Sequence, residues 1–258
     1  MASASVVRLV NLFARPITNR MTYVARSGVS AGLRRRGGLG FLSRPQSDEE
    51  QFIRSIDLRG KTVFDIGAFE GLFTLFFASQ AAKVVTFEPH PWCQATTLTN
   101  VGVNRFGNVT LVPVALSDEP AIMTLSYPEY EPARSTIEPA TLTVLHRSGY
   151  ERLQTMPVLV WTLDEAFRTL KLPVPDFIKI DAEGAEAGIV RGALTVLKEH
   201  APVLYIELHS GKGPEVATLL RSAGYDVWHV EAGRNYVDGG GHIWCERPSQ
   251  ARVVRPGS

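Results

Sequence analysis

The segment from Lys61 to Gly71 constrains the fold of this chain more than any other. The apolar residues up to Asp65 are typical of a buried parallel strand, and Gly67 and Gly71 frame a tight turn. The apolar run over residues 72–82 predicts a helix directly after this turn. Such a unit brings backbone N–H groups and a helix N-terminus close to an anionic ligand group. The segment therefore predicts an α/β fold with a cofactor-binding turn, although an ordinary strand-to-helix turn remains the alternative.

A carboxylate at the end of the next predicted strand strengthens the cofactor interpretation. Glu88 follows the apolar run 84–87 and stands roughly 20 residues after Asp65, where α/β nucleotide folds place a carboxylate for the ribose hydroxyls. The dinucleotide fingerprint G-x-G-x-x-G is absent because position 69 is Phe. Asp65 could orient the turn or meet an ammonium group, whereas a pyrophosphate gains nothing from a carboxylate there. We therefore expect S-adenosylmethionine rather than a dinucleotide.

Four further blocks follow the glycine turn in order. They are VPVALSD at 112–118, TLDE at 162–165, DFIKIDAEGAE at 176–186 and YIELH at 205–209. With these blocks the chain resembles the FkbM family of S-adenosylmethionine-dependent methyltransferases over about residues 50–246. The resemblance implies methylation of a hydroxyl on a sugar, a glycan or a secondary metabolite. The family's turn commonly has Asn where this chain has Phe69, so any polar contact of that Asn is absent here.

Alternating strand and helix patterns extend along the chain. Strand patterns occur at 63–66, 84–87, 109–112, 177–180, 203–206, 227–230 and 243–245. This alternation predicts a mainly parallel sheet with helices on both faces. The glycine-rich segment 232–241 is too short for a crossover helix, so the last two strands should pair antiparallel. This ending matches the class I methyltransferase Rossmann-like fold, whose seven-stranded sheet has an antiparallel last strand.

The distribution of charge suggests the domain boundaries. Residues 1–47 contain eight arginines and no acidic residue, although the formal net charge of the whole chain is only +1. We predict a basic N-terminal arm or helix over 1–47, a methyltransferase domain over 48–247 and a C-terminal tail over 248–258. Within the domain, prolines and a changed rhythm predict a lid-like insertion over 119–160 that faces the substrate.

Three interpretations of the basic arm remain open. A helix packed on the catalytic domain is the preferred one, and an Arg-rich targeting peptide is the second. The third is an interfacial helix on an anionic membrane, because residues 6–13 are mostly apolar. The sequence has no apolar run of the ~18 residues that a membrane span needs. We therefore expect a soluble protein, with peripheral membrane contact only through this arm. The resemblance to the FkbM family implies a cytoplasmic location, and the net charge of +1 predicts no nucleic-acid partner.

The candidate catalytic residues are Asp181, Glu183, Glu207 and His209, at the carboxyl ends of the fourth and fifth strands, where open α/β sheets bind ligands. We expect His209 to be the base for an acceptor hydroxyl and Asp181 to position it. Helix capping is the alternative role for either residue. A divalent cation on Asp181, Glu207 and His209 is a further alternative, but no metal is predicted. Lys179, inside the fourth strand, should need a carboxylate partner.

The cofactor should contact residues around the glycine turn, the ribose carboxylate and the exit of the third strand. These residues are Asp65, Ile66, Gly67, Ala68, Gly71, Glu88, Pro89, Ala115, Leu116, Ser117 and Asp118. The resemblance to class I enzymes implies that 115–117 wrap the adenine and that Asp118 accepts from its amine. Two other functions remain as rivals, an NAD-type oxidoreductase and a methyltransferase-like binding protein without turnover.

Overall fold

The computed structural model describes residues 18, 20–129, 134–150, 152–209 and 211–248. The strands are β1 (Thr22–Val24), β2 (Arg34–Arg36), β3 (Thr62–Ile66), β4 (Lys83–Phe87), β5 (Val109–Val112), β6 (Ala115–Leu116), β7 (Ala121–Pro128), β8 (Leu153–Trp161), β9 (Phe177–Ile180), β10 (Val203–Leu208), β11 (Asp226–His229), β12 (Arg234–Asn235) and β13 (Gly241–Glu246). The helices are α1 (Asp48–Ser55), α2 (Leu72–Gln80), α3 (Pro91–Val103), α4 (Pro139–Arg147), α5 (Leu163–Thr169), α6 (Glu186–Arg191), α7 (Leu194–His200) and α8 (Gly213–Ser222).

The main sheet has the strand order β12-β11-β13-β10-β9-β3-β4-β5. Strands β10, β9, β3, β4 and β5 are parallel, and β13 is antiparallel to both of its neighbours, β10 and β11. This is the predicted class I methyltransferase arrangement, and the predicted antiparallel pairing of the last two strands is confirmed. The sheet has one more strand than predicted, because residues 234–235 of the glycine-rich segment pair with the edge of β11.

Both faces of the sheet are buried, as the continuous apolar strands predict. Successive strand residues point to opposite faces, so Val63 and Phe64 belong to different apolar clusters. Helices α1 and α2 contribute to the cluster around Val63, and α6, α7 and α8 contribute to the cluster around Phe64. The predicted helices on both faces are therefore confirmed.

The segment predicted as a lid-like insertion forms a small sheet of its own. Its order is β6-β8-β7, with β7 and β8 antiparallel over eight residue pairs. Helix α4 lies between β7 and β8 in the chain. The role of the segment as a lid stays a prediction.

The described part of the basic arm packs on the domain, as the preferred interpretation predicts, but as a β-hairpin rather than a helix. Strands β1 and β2 pair antiparallel, and two backbone N–H groups of β2 donate to side chains of α3. Arg34 donates to Asn104 Oδ1 (2.9 Å) and Arg36 donates to Asn100 Oδ1 (2.7 Å). Residues 6–13 lie outside the described residues. In the described ranges, no helix is long and apolar enough to cross a membrane.

Candidate active site

A cavity opens at the carboxyl ends of β3, β4 and β9, the edge that the sequence indicates. It encloses about 570 Å³ of space, part of it open to solvent. Its lining residues are Ile66, Gly67, Phe69, Phe87, Glu88, Pro89, Val114, Ala115, Leu116, Leu125, Ser135, Ile137, Asp181, Ala182, Glu183, Ala185 and Ile189. The insertion supplies Leu125, Ser135 and Ile137, so part of it faces this cavity.

The glycine turn brings two strand ends into close contact. Gly67 has φ +81°, and a Cβ atom at this position would lie 1.8 Å from the carbonyl oxygen of Asp181. Only glycine permits both this backbone conformation and this approach. Phe69 also has a positive φ, of 52°, which is unusual for an aromatic residue and common for Asn. The replacement of the family's Asn therefore puts a strained Phe in the turn.

Two hydrogen bonds hold Phe69 in this conformation. Its N–H donates to Glu88 Oε2 (2.8 Å), and its carbonyl accepts from Thr97 Oγ1 (3.1 Å). The other oxygen of Glu88 accepts from the N–H of His90 (2.7 Å). Burial raises the pKa of Glu88 to about 7, against the effect of these backbone hydrogen bonds. A carboxylate has about four acceptor positions, so Glu88 retains two for hydroxyl donors in the cavity.

The other predicted cofactor residues divide into two groups. Ile66, Gly67, Glu88, Pro89, Ala115 and Leu116 line the cavity, whereas Asp65, Ala68, Gly71, Ser117 and Asp118 do not. Asp65 is fully buried and accepts from Thr74 Oγ1 (2.5 Å). Asp118 forms an ion pair with Arg191 Nε (2.9 Å) on α6. The predicted contact of Asp118 with an adenine does not fit this placement, because its carboxylate is engaged by Arg191.

The N-terminal hairpin reaches the glycine turn through a buried ion pair. Arg35 Nη2 lies 3.3 Å from Glu70 Oε2, and the side chains are only 8% and 11% exposed. Glu70 stands between Phe69 and Gly71 in the turn. The described part of the basic arm is therefore connected to the loop that frames the cavity.

We expect Arg35→Met to lower the free energy of unfolding by about 3 kcal/mol, because it removes the guanidinium that lies 3.3 Å from the buried carboxylate of Glu70. Urea denaturation measures this loss. The double variant Arg35→Met/Glu70→Met should recover part of it, since neither charge then remains. Equal losses in the single and the double variant would contradict a direct coupling between the two side chains.

Carboxylates and basic groups alternate beside the cavity at the ends of β9 and β10. The ammonium of Lys179 is buried, lies 3.1 Å from Asp181 Oδ2 and stands 4.5 Å from the centre of the Phe73 ring. Burial lowers its pKa, but Asp181 and Glu49 outweigh that effect and raise it. The predicted carboxylate partner of Lys179 is therefore Asp181, which also lines the cavity.

Glu183 combines exposure to the cavity with a perturbed pKa. Its backbone is left-handed, with φ +46°, and its carbonyl accepts from Thr136 Oγ1 (2.9 Å) and Thr141 Oγ1 (3.1 Å) of the insertion. Burial raises the pKa of its carboxyl to about 7, although His209 acts in the opposite direction. A carboxyl with this pKa can take up a proton near neutral pH.

His209 is surrounded by acids. Its Nδ1 lies 3.0 Å from Oε1 of the fully buried Glu186, and its Nε2 lies 3.5 Å from Glu207 Oε1 and 3.9 Å from Glu183 Oε2. Burial lowers the pKa of the imidazole, but the hydrogen bonds with Glu186 and Glu207 outweigh it and raise the pKa to about 11. The ring is therefore protonated at neutral pH. The expectation that His209 is the base does not fit this environment.

Sequence reasoning overlooked several members of this cluster. Glu186, in the first turn of α6, is hydrogen-bonded to His209 Nδ1 (3.0 Å) and accepts from the N–H of Gly184 (2.9 Å). Glu49 and His242 lie beside Glu207, and Glu49 Oε1 is 3.9 Å from His242 Nε2. Their positions at the start of α1 and of β13 gave no spacing signal in the sequence. Only the register of the sheet brings them together.

The sequence of this chain matches a known protein family. The family model described as the methyltransferase FkbM domain matches residues 65–227. The chain belongs to the FkbM methyltransferase family. The matched region includes the glycine turn, Glu88, the insertion, and the acids at the ends of β9 and β10. No curated protein sequence matches the chain.

Several solved structures resemble this FkbM-family chain in fold. A methyltransferase FkbM from Methylobacillus flagellatus is 18% identical with a TM-score of 0.47, over 72% of this chain and 43% of its own. Precorrin-6y C5,15-methyltransferase from Geobacter metallireducens is 14% identical with a TM-score of 0.45, over 77% of this chain and 86% of its own. A Streptococcus mutans protein crystallised in complex with SAH is 11% identical with a TM-score of 0.44, over 80% of this chain and 98% of its own.

Proposed function

We propose that this chain transfers a methyl group from S-adenosylmethionine to a hydroxyl of a sugar, a glycan or a secondary metabolite. One observation carries the proposal. A single cavity has Glu88, with two free acceptor positions, at the end of β4, and Asp181 and Glu183 at and after the end of β9. Glu88 would serve the ribose of a nucleoside cofactor, and Asp181 and Glu183 would serve a hydroxyl acceptor beside it.

The residues around the turn fit S-adenosylmethionine. Glu88 would accept from the ribose hydroxyls, and the apolar Val114, Ala115 and Leu116 would contact the adenine. The approach of Gly67 to Asp181 leaves no space for a side chain between the turn and the end of β9. When bound, the cofactor supplies an activated methyl group on a sulfonium, which is transferred by in-line displacement.

The acceptor needs to be positioned and to lose a proton. An alcohol is a poor nucleophile while it is protonated, so a base at the cavity wall accelerates the step. Glu183 supports this role better than His209, because its carboxyl has a pKa near the operating pH and lines the cavity. Asp181, held by Lys179, would accept a hydrogen bond from the acceptor and fix its orientation.

We expect Glu88→Ala to weaken the binding of S-adenosylmethionine by about 1.5–3 kcal/mol, because charge-assisted hydrogen bonds to the ribose are lost. Isothermal titration on protein whose melting curve shows that it is folded measures the change. The matched control is Asp118→Asn, which removes a carboxylate that faces Arg191 instead of the cavity. Unchanged affinity in Glu88→Ala, or an equal loss in both variants, would contradict the proposed site.

The same titration and a methyl-transfer assay together separate the proposal from its two rivals. An NAD-type oxidoreductase would bind NAD in place of S-adenosylmethionine. A binding protein without turnover would bind S-adenosylmethionine, but would transfer no labelled methyl group to any acceptor in a panel of sugars, glycans and hydroxylated metabolites. Transfer to one of these acceptors would support the proposal and identify the acceptor class.

A further inference from the structure

The side chains of Glu49, Glu207 and His242 lie close together. His242 is near Oε2 of Glu207, whereas His209 is near Oε1. Glu49 lies in the first turn of α1, and Glu207 and His242 are directly opposite each other in the antiparallel pair β10–β13. Glu49 Oε1 lies 3.9 Å from His242 Nε2, which in turn lies 3.8 Å from Glu207 Oε2. The three atoms all lie within 4.8 Å of one another. Two carboxylate oxygens and one imidazole nitrogen therefore face the same small space.

The spacing of these atoms excludes direct hydrogen bonds between them. A separation of 3.8–3.9 Å is too long for a hydrogen bond. Glu49 Oε1 and His242 Nε2 are both buried, and neither has a hydrogen-bond partner among the described residues. Buried polar atoms without partners are rare and need an explanation. Ligand atoms that each lie about 2.1 Å from one shared cation stand roughly 3–4 Å apart, as these do.

The histidine is oriented as metal-binding histidines are. Its Nδ1 is hydrogen-bonded to Glu231 Oε1, and its backbone N–H donates to Glu231 Oε2 (3.1 Å). A carboxylate only accepts, so Nδ1 carries the hydrogen, and the lone pair of the neutral ring is on Nε2. A carboxylate that holds one nitrogen of a histidine while the other binds the ion is the usual second layer of a metal site.

A buried tyrosine provides a separate observation. The ring of Tyr205 is fully buried and stacks on His242 at 5.2 Å. Tyr205 stands two residues before Glu207 on β10 and so projects from the same face of the sheet. Its hydroxyl has no hydrogen-bond partner among the described residues, and Glu49 is the charged group that acts on it most strongly. A buried hydroxyl without a hydrogen-bond partner among the described residues thus belongs to the ring that stacks on His242, on the face of β10 that also carries Glu207.

The charges around this space favour a cation. Glu49, Glu207 and Glu231 contribute three carboxylates. Two cations offset part of this negative charge and are shared with other acids: Lys179 lies 3.7 Å from Glu49 and 3.1 Å from Asp181, and the protonated His209 lies 3.5 Å from Glu207 and 3.0 Å from Glu186. The side chain of Glu207 is 32% exposed, so an ion from solvent can reach the space.

We propose that Glu49, Glu207 and His242 bind one divalent cation of the transition-metal type, such as Mn²⁺ or Zn²⁺. Two carboxylate oxygens and one imidazole suit these ions better than they suit Ca²⁺. Three protein ligands leave positions open for water or a ligand, as in catalytic rather than structural sites. Glu207 also contacts His209, so the ion would lie directly beside the acids of the cavity. The site does not depend on the proposed methyl transfer.

Mn²⁺ alone is the probe for the test. Full-length protein is freed of metal with a chelator and titrated with Mn²⁺, and bound ion is followed by electron paramagnetic resonance. We expect one Mn²⁺ per chain in the wild type. Glu49→Gln and His242→Gln should each weaken binding at least about 100-fold, and Glu231→Gln should weaken it about 10- to 100-fold. The matched control is His146→Gln, on an exposed position of α4, which should bind as the wild type does.

Two results would overturn the assignment. The first is the absence of Mn²⁺ binding by the folded wild type. The second is binding that survives in His242→Gln and is lost in His209→Gln, because the ion would then lie on Asp181, Glu207 and His209. Melting curves accompany every titration. Glu49→Gln changes a residue of the first turn of α1 and keeps the test decisive if His242→Gln does not fold.

Discussion

Glu183→Gln should lower turnover about 10²- to 10⁴-fold while the affinity for S-adenosylmethionine stays nearly unchanged, as expected when a general base is lost. Glutamine has almost the same shape as glutamate but cannot take up the proton of an acceptor hydroxyl. The acceptor identified in the labelled-methyl screen provides the assay. Glu199→Gln, on the exposed side of α7, is the matched control and should turn over normally.

The dependence of turnover on pH gives a second readout of the same residue. A base works only when it is deprotonated, and burial holds the pKa of the Glu183 carboxyl at about 7. Activity of the wild type should therefore rise with pH through about 7 and level off above it. At saturating S-adenosylmethionine, where titration of Glu88 no longer limits cofactor binding, the variant should lack this rising limb. Normal turnover by Glu183→Gln, or a rising limb that persists in it, would exclude Glu183 as the base.

Gly67→Ala is expected to lower the free energy of unfolding by about 4 kcal/mol or more, at the upper end of single-substitution effects. The new Cβ would stand 1.8 Å from the carbonyl oxygen of Asp181, and neither backbone segment can move without separating β3 from β9. Protein that still folds should bind no S-adenosylmethionine, because the turn and the end of β9 both line the cavity. Urea denaturation and isothermal titration measure the two effects.

Gly60→Ala provides the control for backbone strain alone. Gly60 has φ +74°, similar to Gly67, but nothing lies within 4 Å of the position that a Cβ would take. Its replacement should cost only about 1 kcal/mol, the usual penalty for a left-handed residue with a side chain. Equal losses at Gly60 and Gly67 would show that the contact with Asp181 does not restrict the turn.

The sequence predicted the sheet well because its signals are local and strong. Short apolar runs, each ended by a turn, marked all seven principal strands, and the glycine-rich segment 232–241 fixed the antiparallel ending. The strand β12 within that segment was not predicted, because a two-residue edge strand has no periodicity in the sequence. The arm was expected to contain a helix at the apolar residues 6–13, which lie outside the described residues. Its hairpin over 22–36 depends on contacts with α3 that lie far away in the sequence.

The sequence predicted where the candidate site lies, but not how neighbouring charges change the pKa of its side chains. Of the four candidate catalytic residues, Asp181 and Glu183 line the cavity at the predicted edge of the sheet, whereas Glu207 and His209 lie beside it. A histidine in a sequence suggests a base, because its ordinary pKa is near neutral. The acids that hold a proton on His209 come from α6 and from β10, and only the folded chain shows how closely they surround it. The proton affinity of a side chain is a property of its neighbours, which spacing alone does not give.

The insertion of β13 between β10 and β11 has a consequence for synthesis of the chain. Strand β11 pairs with β13 and β12 but not with β10, so it has no place in the sheet until residues 241–246 have been made. Until then β10 presents an open edge, and its apolar residues offer a template for other chains. A ribosome that stalls between residues 230 and 240 would release a chain that tends to aggregate. The main sheet can therefore be completed only after β13, the last of the described strands, has been translated.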